Sequence, residues 1–228
     1  MNDFLKGAKD VSPFITGVSP FGLIYGVTAA KSGLSFIQSF TMSQIIFAGA
    51  SQIAFIEQLN SNSSWLIIIA TVFMINLRMA MYSASLAPYY KDLSTAKKAF
   101  MSYFLVDQAY AVTISKIAND KSVNKFKYYM GAGITMWTVW QISTLIGILL
   151  GTTIPSSFSL EFAIPLTFMA ILVNFLKEKR FIITAIVSGA CMILLKQIPL
   201  NLGFFVAVFA GVFAGKIYKK GIKNAALQ

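Results

Sequence analysis

Trp65-Leu-Ile-Ile-Ile-Ala-Thr-Val-Phe-Met74 passes, with no loop signal between, into Ile75-Asn76-Leu77-Arg78-Met79-Ala80-Met81-Tyr82-Ser83-Ala84-Ser85-Leu86-Ala87-Pro88. In a soluble protein this would read as a buried helix followed by a polar turn. In a bilayer it places an asparagine and an arginine partway through a spanning segment. A charged side chain near the bilayer centre costs roughly 2.5–3.5 kcal/mol on insertion scales, so it is kept where it faces protein or water and has a task. Arg78 is therefore a functional-site candidate. The alternative is that its guanidinium snorkels to an interface or satisfies the carbonyls of a broken helix. Tyr82 and Ser85 extend a polar stripe from Arg78, while Ala80, Ser83, Ala84 and Ala87 make a small-residue face for close packing.

Composition makes the bilayer the right solvent. Of 228 residues, 57% are hydrophobic and only 12% charged, with a mean hydropathy of +0.70; soluble domains average about 25% charged residues. Several apolar stretches approach the roughly 20 residues needed to cross a hydrocarbon core. Backbone exposed to lipid must satisfy its own hydrogen bonds, so these stretches read as helices. The expected fold is all-α: a polytopic transmembrane helix bundle of seven or eight spans, several discontinuous, forming a single transmembrane domain over residues 1–228.

The net charge of +11 comes from lysines that lie almost wholly between or after the apolar segments. There they set orientation and meet anionic membrane lipid, and nucleic acid is not an expected partner. With no histidine in the chain, a His-ligated metal and a histidine proton relay are excluded. The single Cys191 allows no internal disulfide and no CxxC pair, so no cofactor or metal is expected. Residues 1–10 are too polar for a cleaved signal peptide.

In chain order, the first span covers residues 11–30 and is interrupted by Pro13, Gly17 and Pro20. Gly22, Gly26 and Ala30 follow at four-residue spacing, the pattern that lets helices approach closely. This is either a kinked packing helix or a discontinuous helix lining a substrate site. The second span, 36–59, holds Ser43, Gln44 and the centre Phe47-Ala-Gly-Ala-Ser-Gln52, polar groups that favour an inner face or a broken helix. Residues 65–88 form the third span. The fourth, about 99–117, places Tyr103, Asp107 and Tyr110 on one helical face if the helix is continuous. Asp107 is the one acidic residue well inside an apolar segment, and within reach of Arg78 it is either half of a structural ion pair or a proton-coupling or gating group. The fifth span, about 128–150, aligns Trp140, Thr144, Gly147 and Gly151, with Gln141 beside them. A sixth, about 160–176, is broken by Pro165 and holds Asn174. The seventh (181–195) and eighth (200–215) are short, since 15 or 16 helical residues reach only about 23 Å. Ala207, Gly211 and Gly215 repeat the small-residue spacing in the last.

With eight spans and the N-terminus inside, the linker 116–127, the loop 177–180, the tail from Lys216, Lys6 and Lys9 all fall on the interior. The loop with Lys91, Lys97 and Lys98 then falls outside, the one violation of the positive-inside rule, which leaves room for seven spans or a re-entrant third segment. The halves 11–118 and 128–216 also echo one another: Gly22-xxx-Gly26 resembles Gly147-xxx-Gly151, and the run from Phe47 through Arg78 loosely parallels that from Phe168 through Lys196. Transporters are often built from such repeats.

Taken together, Ser19-Pro-Phe-Gly22 with Gly26, Met42-Ser43 with Phe47-Ala-Gly-Ala-Ser-Gln52, Asn76-Leu-Arg78 with Tyr82-Ser-Ala-Ser-Leu-Ala-Pro88, and Val106-Asp107 resemble the AzlC family. These are the large permease subunits of bacterial branched-chain amino acid exporters. The resemblance implies a multi-pass inner-membrane permease, N-terminus cytoplasmic, for Leu, Ile and Val, with Met as a further candidate. It also implies proton coupling and a separately encoded small hydrophobic AzlD-type subunit. The chain departs from the family at two places: Arg78-Met79 stands where Arg-His is frequent, and Asp107-Gln108 where Asp-Glu is frequent.

The expected site follows. Broken helices around Pro20-Gly22 and Gly49-Ser51-Gln52 expose backbone to a zwitterionic amino acid. A helix N-terminus or Arg78 takes the carboxylate, Asp107 or a carbonyl cluster the ammonium, and Phe21, Phe47 and Trp140 the branched side chain. Gly26, Asn76 and Tyr82 complete the candidate substrate residues, with Asp107 as the coupling group. Rival readings are an ion or proton channel and a structural subunit. An enzyme is not expected, because there is no HExxH and no second intramembrane carboxylate for a dyad.

Overall fold

The computed structural model describes residues 2–120, 122–153, 176, 178–195, 198 and 202–225. The sixth apolar segment with Pro165 and Asn174, and the Phe168 and Lys196 ends of the internal parallel, lie outside them. The chain forms two compact units, residues 1–61 with 68–160, and 62–67 with 161–228. The described residues are helical, without strands.

In the first unit α1 (Asp3–Val11) and α2 (Ile15–Lys31) are joined by a 3-10 turn, Ser12–Phe14, that contains Pro13. Pro20 does not interrupt α2, which runs through it, so the break expected at Pro20-Gly22 is absent. α1 and α2 lie alongside α8 (Lys125–Gly151) in parallel. A Cβ on Gly7 would overlap the Tyr128 carbonyl, and one on Gly26 the Thr144 carbonyl. Reciprocally, one on Gly147 would overlap the Leu23 carbonyl. The seam thus runs from the end carrying Asp3 and Asn124, where the Asp3 carboxylate accepts from the Asn124 N–H at 2.9 Å, to the far end at Lys31 and Gly151. Asn124 also caps α8 through the Lys127 N–H at 3.0 Å.

Beside this seam stand two hairpins that enter from opposite ends. α3 (Phe36–Ile45) starts at the far end in a reciprocal cap, Ser35 Oγ accepting from the Gln38 N–H and Gln38 Oε1 from the Ser35 N–H. It descends past Tyr25 at Ser39 and reaches Trp140, Gln141 and Thr144 at Ser43. The chain is non-helical at 46–48, then α4 (Gly49–Asn60) climbs back until Asn60 Nδ2 donates to Ser32 Oγ at 3.0 Å. The second apolar segment therefore returns to the end it left instead of crossing.

α5 (Trp65–Leu86), extended by the 3-10 turn Ala87–Tyr89, runs to the N-terminal end, where Tyr90 Oη donates to the Lys125 carbonyl. α6 (Thr95–Tyr103) turns inward from there, with Tyr129 Oη donating to the Met101 carbonyl and Trp137 Nε1 to Tyr103 Oη. After the break at 104–106, α7 (Asp107–Asn119) goes back beside α5, Asp107 opposite Arg78 and Tyr110 opposite Ser85. The fourth segment is thus a second hairpin. Tyr103 closes α6 and Asp107 opens α7, so the shared helical face expected for Tyr103, Asp107 and Tyr110 does not exist. Hairpin helices of 9 to 13 residues reach only about half of a 30 Å hydrocarbon core at 1.5 Å per residue.

Among the described residues, three helical stretches are long and apolar enough to cross a membrane: Asp3–Lys31, Trp65–Tyr89 and Lys125–Gly151. The two hairpins remove the charge anomaly. Lys91, Lys97 and Lys98 sit at the same end as Lys6, Lys9, Lys116, Lys125 and Lys127: Lys97 lies over the Phe126 ring at 5.9 Å and Lys125 over the Tyr89 ring at 5.6 Å. Lys31 stands at the far end.

In the second unit α9 (Lys179–Leu194) and α10 (Leu202–Ala225) form an antiparallel pair. Gly203 abuts Leu195, Gly211 abuts Thr184 and Ser188, and Gly215 abuts Thr184 and Arg180. Two of the three small residues spaced along α10 therefore set this seam.

Candidate functional site

Helices that stop inside an apolar fold leave backbone groups unpaired, and the tolerated place for them is against protein or a wet cavity. Both hairpin tips meet that condition at one place. A small, partly open cavity of about 60 Å³ is lined by residues 47–50 of the first tip and 106–108 of the second, by Arg78 and Met79 from the middle of α5, and by Phe21 and Trp140 among the flanking helices. The N-termini of α4 and α7 both open on it, and neither has a side-chain cap. Two partial positive charges therefore face the same small volume.

Arg78 Nη1 donates to Asp107 Oδ2 at 2.6 Å. The side chains are 33% and 39% exposed, yet Arg78 Nε and Asp107 Oδ1 are buried and have no hydrogen-bond partner. A guanidinium and a carboxylate can join through two parallel bonds, and this pair uses one. The unused donor and acceptor are the chemical capacity of the site. Each suits a group of opposite sign, and together they suit a ligand carrying both.

The apolar wall is built on Trp140. Its ring centroid lies 5.7 Å from that of Phe21, 5.9 Å from Tyr25 and 6.5 Å from Phe47. Gly49 is the residue that lets α4 begin under this ring, since a Cβ there would collide with Trp140 and Phe21. The carbonyl ends of α3 are answered by side chains: Gln141 Nε2 donates to the Ser43 carbonyl at 3.0 Å and Tyr103 Oη to that of Gln44 at 2.5 Å. Ser43 Oγ accepts from Trp140 Nε1 and donates to Gln141 Oε1, which also accepts from Gln44 Nε2 at 2.8 Å. Among the described residues no three His, Cys, Asp or Glu side chains converge as a metal site.

Of the residues singled out from the sequence, Phe21, Phe47, Gly49, Arg78, Asp107 and Trp140 share the cavity wall. Ser51 and Asn76 stand beside it, joined by a hydrogen bond at 3.2 Å. Tyr82 stacks on Tyr110 at 4.3 Å next to the ion pair's helix. Gln52 is buried on α4 but does not line the cavity, and Pro20 is exposed on α2. Gly22 and Gly26 belong to the seam with α8. Val18, Ala48, Ala50, Met79, Val106, Gln108 and Met136 complete the wall and were not singled out as site residues. For Ala48 and Val106 the readable signal is position, each directly preceding a helix that starts at membrane depth.

The AzlC protein family model matches residues 13–154. The chain belongs to the AzlC family. Similar proteins include the inner membrane protein YgaZ of Escherichia coli K12, 28% identical over 93% of this chain and 87% of its own. A membrane protein of Archaeoglobus fulgidus is 29% identical over 91% of this chain and 92% of its own. One of Helicobacter pylori J99 is 26% identical over 67% and 68%. No solved structure matches. The family match spans α2, both hairpins, α5 and α8, so the whole cavity of this AzlC chain lies inside the matched region.

Proposed function

We propose that this AzlC protein is the carrier subunit of an exporter for branched-chain and other apolar amino acids, driven by protons and working with a small hydrophobic AzlD-type partner. The observation that carries the reading is the singly bonded Arg78–Asp107 pair in the wall of a cavity shared by two opposed hairpins. An amino acid brings a carboxylate and an ammonium. Inserted between Arg78 and Asp107, it gives each a new partner, so the pair opens without leaving an uncompensated charge in an apolar interior. The α4 N-terminus at Gly49 and Ala50 adds backbone donors for the carboxylate, and the Phe21, Phe47 and Trp140 rings take an apolar side chain.

A cavity of about 60 Å³ admits water but not an amino acid, since ligand sites are commonly 300 Å³ or more. Loading an amino acid at this site therefore requires a hairpin tip to move. Entry from alternate ends follows from hairpins that open from alternate ends. With Asp107 freed of Arg78, protonation at Oδ1 is the step that ties proton movement to reopening. No covalent step is needed, so the reading is of a carrier and not an enzyme. The lysine-rich N-terminal end faces the cytoplasm by the positive-inside rule, and the name of the Escherichia coli relative favours an inner membrane.

Efflux of labelled isoleucine from dipeptide-loaded cells tests this. Arg78→Ala and Asp107→Asn are expected to reduce efflux to background at normal protein levels, and unchanged rates overturn the reading. Reconstitution with and without the small partner under an imposed pH gradient reads the coupling and the partnership. Flux that never saturates would identify a channel instead.

A further inference from the structure

A second and larger space lies away from the proposed carrier site, at the lysine-rich end. It is a groove of about 440 Å³ between the end of α5 and the outer face of α6, floored by Leu86, Met101, Leu105 and Tyr129. Its rim carries Thr95 and Lys98. The floor is apolar and buried while Ala87, Ala99 and Ser102 along the rim are exposed, so the groove is open along its length. An open apolar groove at a membrane protein's charged end is filled either by protein or by lipid, and its charge decides which.

The connection over it, residues 90–98, holds three lysines against one aspartate, Asp92. Among the described residues, the ion pairs at this end join Lys6 to Asp3 and Lys116 to Asp120, and none involves Lys91, Lys97 or Lys98. Lys98 Nζ spends one N–H on the Lys91 carbonyl at 2.8 Å, and an ammonium has three. Lys97 and Lys125 are held over aromatic rings, which keeps their charge beside the rim without neutralising it. We propose that this groove binds one acyl chain of an anionic phospholipid, with the lipid phosphate held by Lys98 and supported by Lys97. The ligand combines an apolar chain of a groove's width with a single anionic head, which matches the floor and the rim together. A site here would tie the foot of the α6–α7 hairpin to the surrounding lipid.

Native mass spectrometry of the purified full chain, given phosphatidylglycerol or phosphatidylcholine at equal concentration, tests the site. Wild type is expected to retain phosphatidylglycerol about tenfold better, and Lys97→Gln with Lys98→Gln to erase that preference. Lys98→Arg should keep it. Ala99→Trp fills the groove from an exposed position without changing charge, and should remove retention; Ser102→Phe serves the same purpose if that variant does not fold. Soluble glycerol phosphate should not be retained. Equal retention of both lipids by wild type overturns the proposal. So does undiminished phosphatidylglycerol in the folded groove-filling variant, which would mean surface attraction alone, or retention of glycerol phosphate, which would mean a phosphate site without a chain. None of these readouts depends on transport, so they stand apart from the carrier reading.

Discussion

The α3–α4 and α6–α7 hairpins both bring an uncapped helix N-terminus to one cavity, but only the second carries a charge pair at its tip. On α3, the carbonyls of Ser39, Ser43 and Gln44 accept from Tyr25, Gln141 and Tyr103. Such bonds specify a position and are indifferent to what the cavity holds. On α7 the tip is fixed by Asp107 to Arg78, with Tyr82 stacked on Tyr110 and Tyr110 bonded to Ser85 behind it. A charge pair competes with any charged ligand. The contacts of α3 are between neutral groups, one of them Tyr103 of the other hairpin, and the way to break that contrast is to remove each anchor in turn.

The largest effect is expected at the ion pair. Arg78→Met alone or Asp107→Leu alone leaves one ion without its partner and abolishes efflux. Because the pair is only partly exposed, the stability loss lies between surface and buried cases, about 2 kcal/mol, read by thermal unfolding of the purified chain. The double variant Arg78→Met with Asp107→Leu should recover most of that stability and none of the efflux. Recovered transport would show the pair to be structural. At the first hairpin, Gln141→Leu strips the Ser43 carbonyl and Gln44 of their partner and should cost about 1–2 kcal/mol. Efflux per folded molecule should hold, and a selective loss of turnover would erase the distinction between the hairpins.

Much of this was legible in residue order. The polar centre of residues 43–52 favoured an inner face or a broken helix, and the structure breaks at 46–48; Trp140, Thr144, Gly147 and Gly151 showed a shared helical face. The pairing of Arg78 with Asp107 was readable because two charges in apolar segments have few other places to go. The return of each hairpin was not. A 24-residue apolar segment has the same composition whether it crosses or doubles back, and only contacts such as Asn60 with Ser32 or Tyr90 with Lys125 distinguish the two. The lysines at 91, 97 and 98 carried that information as an apparent breach of the charge rule. Pro20 misled in the other direction, because α2 runs through it as one continuous helix.

A smaller effect is expected where the chain departs from family habit, since Met79 and Gln108 both line the cavity. Gln108→Glu places a second carboxylate next to Asp107. Two carboxylates side by side interact, so the pH profile of efflux should differ from that of wild type. Met79→His adds a group that titrates near neutrality and should introduce a new inflection there. Unmoved profiles in both would place proton coupling away from the second tip.

The smallest effect lies at that hairpin's foot. Asp120, which closes α7, accepts from Ser122 Oγ at 2.6 Å and the Ser122 N–H at 3.0 Å, and pairs with Lys116 at 3.1 Å. The Ser122 hydroxyl first, then Lys116 and the Ser122 amide, hold its carboxyl down at about 2. A folded value below the ordinary one means the ionised form is favoured by folding, so the contribution is full above the unfolded carboxylate value near 4 and fades as pH falls toward 2. Asp120→Asn should therefore unfold more easily than wild type at about pH 6, with the gap narrowing between about pH 4 and pH 2. A gap that ignores pH would mean that the foot is held by packing alone. A gap that closes would show that charge fixes the α6–α7 hairpin at its exposed foot as well as at its tip, whereas on α3 the anchoring carbonyls have no proton to lose.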